Sequence, residues 1–297
     1  MAKVLVTGAT GLLGNALVPF LKDRGHQVTR WGRSHVADIN ADLVSHEQTK
    51  CALDQVRPEI IINLTALTDV DRCETHPHEA YLLNVKTVEN LSSWIRTASA
   101  DCHLIHISTD QLYDGPGPHS EEKVTIRNHY AVSKLAGEFA AGLVSSTILR
   151  TNFVGRSVRE GRTSLTDWLY GAMHRGELIK VFEDVMFSPL AMGTICDVID
   201  RCINNRPLGV FNLGSRDGMS KADFAFAFAN ALGMPTTNIK RTTAIANNKF
   251  IANRPTDMRM NSGHIERSMG ISLQKLIDEI EIIACDYRIK NIVHGKK

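Results

Sequence analysis

Tyr130 and Lys134 stand four residues apart in the run Tyr130-Ala131-Val132-Ser133-Lys134. On a helix that spacing puts both side chains on one face. A free phenol titrates near ~10, too high to exchange protons readily near neutrality. A neighbouring ammonium stabilises the phenolate and brings that value down. Upstream lies a hydroxyl cluster in Ile107-Ser108-Thr109-Asp110-Gln111-Leu112-Tyr113-Asp114-Gly115. Thr109 or Ser108 would hydrogen-bond a substrate carbonyl while Tyr130 protonates it. Either feature alone also suits an ordinary helix or a capped strand end. Their conjunction points to carbonyl chemistry.

Such chemistry needs a hydride source, and the N-terminus supplies a place for one. Thr7-Gly8-Ala9-Thr10-Gly11-Leu12-Leu13-Gly14 has GxxGxxG spacing directly after an apolar run and before a helical stretch. Gly8 allows the tight turn, Gly11 lets the backbone approach a pyrophosphate, and Gly14 lets helix and strand pack closely. Thr10, Leu12 and Leu13 complete the loop, and the helix N-terminus offers free amides to the phosphates. The second strand ends Val28-Thr29-Arg30-Trp31-Gly32-Arg33-Ser34, with no carboxylate before Asp38. An acidic residue there would hold the 2′-hydroxyl of NAD. Arg30, Arg33 and Ser34 suit a 2′-phosphate instead, which favours NADP(H) and leaves NAD open.

These residues must be held by a regular frame. Strands are expected at Lys3–Thr7, Gln27–Trp31, Glu59–Leu64, His103–Ser108 and Thr147–Leu149. Helices are expected at Leu12–Lys22, His46–Val56, Glu79–Arg96 and His129–Leu143. Continuously apolar strands alternating with helices indicate an α/β fold, a doubly wound parallel sheet of Rossmann type. After about Thr151 the segments shorten and glycine and proline become more frequent, with helices expected at Thr194–Ile203, Lys221–Leu232 and Leu273–Tyr287. This predicts a dinucleotide-binding domain over residues 1–150. A smaller substrate-binding lobe over 151–297 is partly interleaved with it, because a late strand is free to return to the sheet.

The chain has 297 residues, 34 Lys+Arg against 32 Asp+Glu and 43% hydrophobic residues. That balance is ordinary for a soluble globular protein and gives no concentrated basic surface for nucleic acid. No run of about 18 apolar residues is present to span a membrane, and no secretory signal opens the chain. The six cysteines form no CxxC pair, which reads as reduced thiols in the cytoplasm. The twelve histidines show no metal-ligand spacing, so no metal site is expected.

The residues together resemble the extended branch of the short-chain dehydrogenase/reductase superfamily, and within it the dTDP-4-dehydrorhamnose reductases, over almost the whole chain. The stretch Arg57-Pro58-Glu59 through Glu74 is similar to RPDxxINxAAxTxVDxxE, and Ser108–Gly115 to STDYVFDG. Tyr130–Lys134 with Leu135-Ala136-Gly137-Glu138 matches YxxSKLxGE, and Leu149–Val154 is similar to LRTSWVY. Arg254-Pro255 echoes a late RP segment. The resemblance implies Thr109, Tyr130 and Lys134 as the catalytic set. It places Asp42 and Leu43 against the adenine, Leu64, Thr65 and Ala66 along the cofactor, and Asp110, Phe153 and Arg254 toward the sugar. It implies NADP(H)-dependent reduction of a nucleotide-linked 4-keto-6-deoxy sugar. Phe153 replaces the family's Trp, and Asn15 and Met186–Pro189 do not repeat acidic positions that some members use around a divalent ion. Two other functions remain open on the same residues. A nucleotide-sugar epimerase or dehydratase would keep its cofactor bound, and a non-catalytic regulatory subunit would be expected to lose Tyr or Lys. The expected partner is a small nucleotide sugar, with a homodimer as one option of assembly.

Overall fold

In the computed structural model, which describes all residues except 33–36, 99–100, 158–162, 245–249 and 295–297, five strands of the N-terminal half are parallel neighbours. They are β1 (Lys3–Thr7), β2 (Gln27–Trp31), β3 (Ile60–Asn63), β4 (His103–Ile107) and β5 (Ser146–Thr151). β1, β3 and β4 are buried almost throughout, without alternation, because both faces are covered. Val4, Val6, Ile60, Ile62 and Ile105 meet one layer of helices, while Leu5, Ile61 and Leu104 meet the other.

Helix α1 (Leu12–Asp23) lies on the first face and buries Leu13, Leu17 and Leu21 at helical spacing. On the second face lie α2 (His46–Val56) and α5 (Thr87–Ala98), with Trp94 of α5 buried among the strand side chains. Between β3 and α5 the chain forms α3 (Val70–Thr75) and α4 (Pro77–Tyr81), and the latter runs through a π-helical turn, Leu82–Lys86, into α5. The single helix expected over Glu79–Arg96 is thus a helix interrupted by one wide turn. α6 (His129–Ala141) starts where the Asn128 side chain accepts a hydrogen bond from the Ala131 amide, which places Tyr130 in its first turn.

The C-terminal half contributes to both cores. β6 (Phe153–Val154), α7 (Leu165–His174), β7 (Ile179–Phe182), β8 (Met186–Phe187) and β9 (Leu190–Ala191) lead to α8 (Met192–Asn205). α8 packs on α1, and Ile195, Ile199 and Ile203 join the first face of the main sheet. β10 (Gly209–Leu213) then pairs in parallel with β5, making six strands in the order β10-β5-β4-β3-β1-β2. The remaining elements are β11 (Met219–Ser220), α9 (Lys221–Ala231), β12 (Ile239–Thr242), α10 (Gly263–Met269) and α11 (Leu276–His294). A second core gathers Phe187, Phe224, Phe228, Ile280, Ile283 and Tyr287 around three two-stranded ribbons. The last helix begins at Leu276 rather than Leu273, since Leu273 packs into the main core instead. No helix of the described residues is long and apolar enough to cross a membrane.

Strand order reverses around β1, which has β2 on one side and β3 on the other. Loops leaving the carboxyl ends of these strands diverge there and open a crevice, where open α/β sheets bind ligands.

Candidate active site

A cleft of about 860 Å³ occupies that crevice, lined by the loops that follow β1, β2, β3, β4 and β5. Gly8, Thr10, Gly11, Leu12, Leu13 and Gly14 form its floor after β1. Gly8 has φ +63°, and a Cβ on Gly14 would sit 2.6 Å from the Ala9 backbone. Glycine is therefore a steric requirement at both ends of the loop. Gly11 caps α1, and among the described residues no side chain hydrogen-bonds the α1 N-terminal amides. Free amides at the positive end of the helix dipole fit a phosphate.

Asp42 and Leu43 line the cleft beyond the β2 end, together with Trp31, Gly32, Ala41 and Val44. That apolar slot is fixed from behind: Asn90 on α5 donates to the Leu43 and Val44 carbonyls, both at 2.9 Å. Trp31 Nε1 donates to Ala41 O at 2.8 Å. Leu64, Thr65 and Ala66 form the wall after β3. A polar ladder supports this wall from within the sheet. Thr7 Oγ1 donates to Asn63 Oδ1 at 2.6 Å, and Asn63 Nδ2 donates to His106 Nδ1 at 3.0 Å. Burial holds His106 well below its ordinary pKa, so it is neutral and accepts that bond.

The catalytic candidates converge on the same cleft. Thr109 follows β4, and Tyr130 and Lys134 face it from α6; all three are buried. Burial raises the Tyr130 phenol above its ordinary value, and the charge of Asp110 adds to that, while a hydrogen bond with Thr109 opposes it. Lys134 Nζ donates to the Ile107 carbonyl at 2.7 Å. Burial pulls its pKa down to about 8, with Glu138 opposing the fall. Tyr130 thus keeps its proton at neutral pH, and Lys134 is mostly ammonium. On the far side of Thr109, burial raises Asp110 to about 6, and a hydrogen bond from Asn152 opposes it. Asn152 Nδ2 reaches Asp110 Oδ2 at 2.6 Å. Phe153 lines the cleft and also packs on the main core.

The structure does not bring Arg30 and Arg254 into the cleft lining. Arg30 is paired with Asp38, Nη2 donating to Oδ1 at 2.7 Å and Nε to Oδ2 at 3.2 Å. It lines a smaller hollow on the other side of Thr10, with Asn15 and Lys22. Arg254 pairs with Asp71 at 2.9 Å. Arg33 and Ser34 lie outside the described residues.

Sequence reasoning passed over several groups that build the site. Asn84, in the π-helical turn, accepts from Leu67 N at 2.7 Å and donates to Ser133 Oγ at 2.8 Å, tying the β3 loop to α6. The wide turn presses the Asn84 carbonyl toward α6, where a Cβ on Gly137 would lie 2.4 Å from it. An asparagine among the apolar positions of a helix was the available signal. Asn152 stood within a quoted motif without a role. Lys221, half-buried at the start of α9, acts electrostatically on Asp110, and nothing local in sequence marks it.

The fold and the cleft define an extended short-chain dehydrogenase/reductase architecture. The family model described as RmlD substrate binding domain matches residues 2–288, and the chain belongs to that family. A dTDP-4-dehydrorhamnose reductase of Sinorhizobium fredii is 32% identical over 249 residues, covering 79% of this chain and 82% of the relative. A probable low-salt glycan biosynthesis reductase of Haloferax volcanii, Agl14, is 27% identical over 290 residues, covering 93% and 95%. The dTDP-4-dehydrorhamnose reductase of Bacillus anthracis, solved in complex with NADP, shares the fold with a TM-score of 0.86. That structure is 22% identical and covers 96% of this chain and 99% of its own.

Proposed function

We propose that the protein is an NADP(H)-dependent reductase of a nucleotide-linked 4-keto-6-deoxy sugar, similar to dTDP-4-dehydrorhamnose reductases. The observation that carries this is the meeting of Thr109, Tyr130 and Lys134 in one cleft, between a phosphate-suited helix terminus and the polar group Asp110–Asn152. Family membership over nearly the whole chain supports it. The glycine floor, the uncapped α1 amides and the slot at Asp42 and Leu43 fit a dinucleotide.

A dinucleotide held by the Gly8–Gly14 loop and the slot at Asp42 and Leu43 would supply the hydride for the keto carbon. The chain supplies the rest. Thr109 orients the carbonyl by hydrogen bond. Tyr130 gives its proton to the carbonyl oxygen, which becomes the hydroxyl of the product. The Lys134 ammonium stabilises the phenolate left behind. Catalysis comes from position and proton delivery, since the cofactor carries the redox chemistry. Asp110, Asn152 and Phe153, which line the cleft, are assigned to the sugar side, with the lobe over 151–297 selecting the substrate. Because Asp38 already occupies Arg30, contact with a 2′-phosphate falls to Arg33 and Ser34. We place the protein in the cytoplasm, a reading supported by free thiols at all six cysteines.

NADPH oxidation against a panel of nucleotide-linked 4-keto sugars tests the assignment. One NADPH consumed per sugar reduced is expected. Substrate conversion with the cofactor retained and not consumed would make the protein an epimerase or dehydratase, and cofactor binding without conversion of any sugar would make it a regulatory subunit.

A further inference from the structure

Behind the catalytic side chains lies a buried polar network that the proposed chemistry does not use. Its centre is Glu138, one helical turn beyond Lys134 on α6 and 3% exposed. Arg150 on β5 donates from Nε to Oε1 at 2.9 Å and from Nη2 to Oε2 at 2.7 Å. Ser108, in the cleft wall, donates from Oγ to Oε1 at 2.5 Å. Arg150 Nη1 continues to the Tyr113 hydroxyl at 2.8 Å, and Tyr113 donates to Asn212 Oδ1 on β10 at 2.6 Å.

A buried ion pair is weak evidence for stability, because desolvating two charges offsets most of their attraction. A carboxylate this fully bonded, one turn from an active-site lysine, has a second use. Lys134 is 2% exposed, and burial works against its charge. The other groups around it do little to offset that. Tyr130 on the same helix is a neutral phenol, and His106 from β4 is neutral. Burial, chiefly, keeps the Cys73 thiol of α3 protonated, at about 11. The Ile107 carbonyl accepts from Nζ but carries no charge. Among the described residues Glu138 supplies the carboxylate charge that acts on Lys134.

We propose that Glu138 is a positioning residue that holds Lys134 as an ammonium at the foot of the active site, with Arg150 and Ser108 locking its carboxylate in place. Its catalytic consequence rests on the reductase reading, whereas the charge on Lys134 is measurable without any substrate. Glu138→Gln preserves shape but leaves Arg150 buried and unpaired, so Glu138→Gln/Arg150→Met, which removes both charges, is tested beside it.

The readout is competitive acetylation of Lys134 by acetic anhydride across pH, followed by peptide mass spectrometry on the whole protein. The wild-type midpoint is expected at about 8. In both variants it should fall by about one pH unit, a tenfold fall in the ammonium-to-amine ratio at a given pH. The alkaline limb of kcat/KM should move with it. An unchanged midpoint in both variants overturns the proposal, as does a return to the wild-type value in the double variant, which would assign the shift to the unpaired Arg150. A shifted midpoint in a protein that reduces no sugar leaves Glu138 in its role and removes the reductase reading.

Discussion

The proposed cofactor side and the proposed substrate side of the one cleft are built by different means. On the cofactor side, the chain itself is the contact: Gly8–Gly14, the turn at Asp42 and Leu43, and Leu64–Ala66 each follow directly from the strand that aims them. What matters there is backbone geometry, set by glycines and by anchors such as Asn84 and Asn90. The substrate side is a meeting of side chains from separate elements. Asp110 follows β4, Asn152 follows β5, and Lys221 opens α9. Contiguous chain makes one side legible and general; assembled side chains make the other particular. A binding side that must accept a common cofactor can be written in backbone, while selection among sugars needs side chains that vary.

The largest expected effect lies where the two sides meet. Tyr130→Phe deletes the proton donor and keeps the ring, so turnover should fall ~100–10,000-fold while the NADPH dissociation constant holds. Stopped-flow turnover with a fluorescence titration checks both. Near-normal kcat on a confirmed substrate would remove Tyr130 as the donor.

Asp114 anchors the loop after β4 to the C-terminal half: Thr256 donates to it from N at 2.8 Å and from Oγ1 at 3.0 Å. Burial raises its pKa, but these bonds and Arg127 win and hold it at about 2. An acid depressed on folding adds stability above the unfolded value near ~3.9 and loses it as pH falls through the folded one. Asp114→Asn should therefore cost about 2 kcal/mol at pH 7, with the difference shrinking between about pH 4 and 2 in urea titrations. A pH-independent difference would show that the carboxylate charge contributes nothing.

Phe153 sharpens the comparison, because it belongs to both cleft and core. Phe153→Ala should raise KM for the sugar nucleotide and leave NADPH affinity alone. Its stability loss should stay below the ~3–5 kcal/mol of a fully buried phenylalanine. Loss of the full amount with KM unchanged would make the residue core alone. The smallest effect is expected at Arg30. With Asp38 already paired to it, Arg30→Ala should change the NADPH-to-NADH affinity ratio less than about threefold. Arg33→Ala should cost NADPH ~1.5–3 kcal/mol of binding, the worth of one charge-assisted phosphate contact. The reverse ranking would mean that Arg30 leaves Asp38 when the cofactor binds.

The frame of the protein was readable because its signals are local. Three isoleucines in β3 announce a strand buried on both faces, GxxGxxG demands a tight turn against a helix, and Tyr130 and Lys134 share a face at one helical turn. Each depends on backbone geometry that a few neighbouring residues impose, so each survives without knowledge of the rest of the chain. Charge pairing does not work that way. Arg30 reads as a phosphate ligand until folding delivers Asp38 to it, and Arg254 as a substrate ligand until Asp71 is beside it. Glu138 and Arg150 carry no sign of each other in sequence and become partners only when both are buried together. A side chain's electrostatic partner is whichever group the tertiary fold brings within a few ångströms, at any sequence separation, and its strength depends on the water that fold removes. Sequence therefore decided which tight turn and which Tyr–Lys pair form the candidate site, and only the packed structure decided which charges are left to meet a ligand.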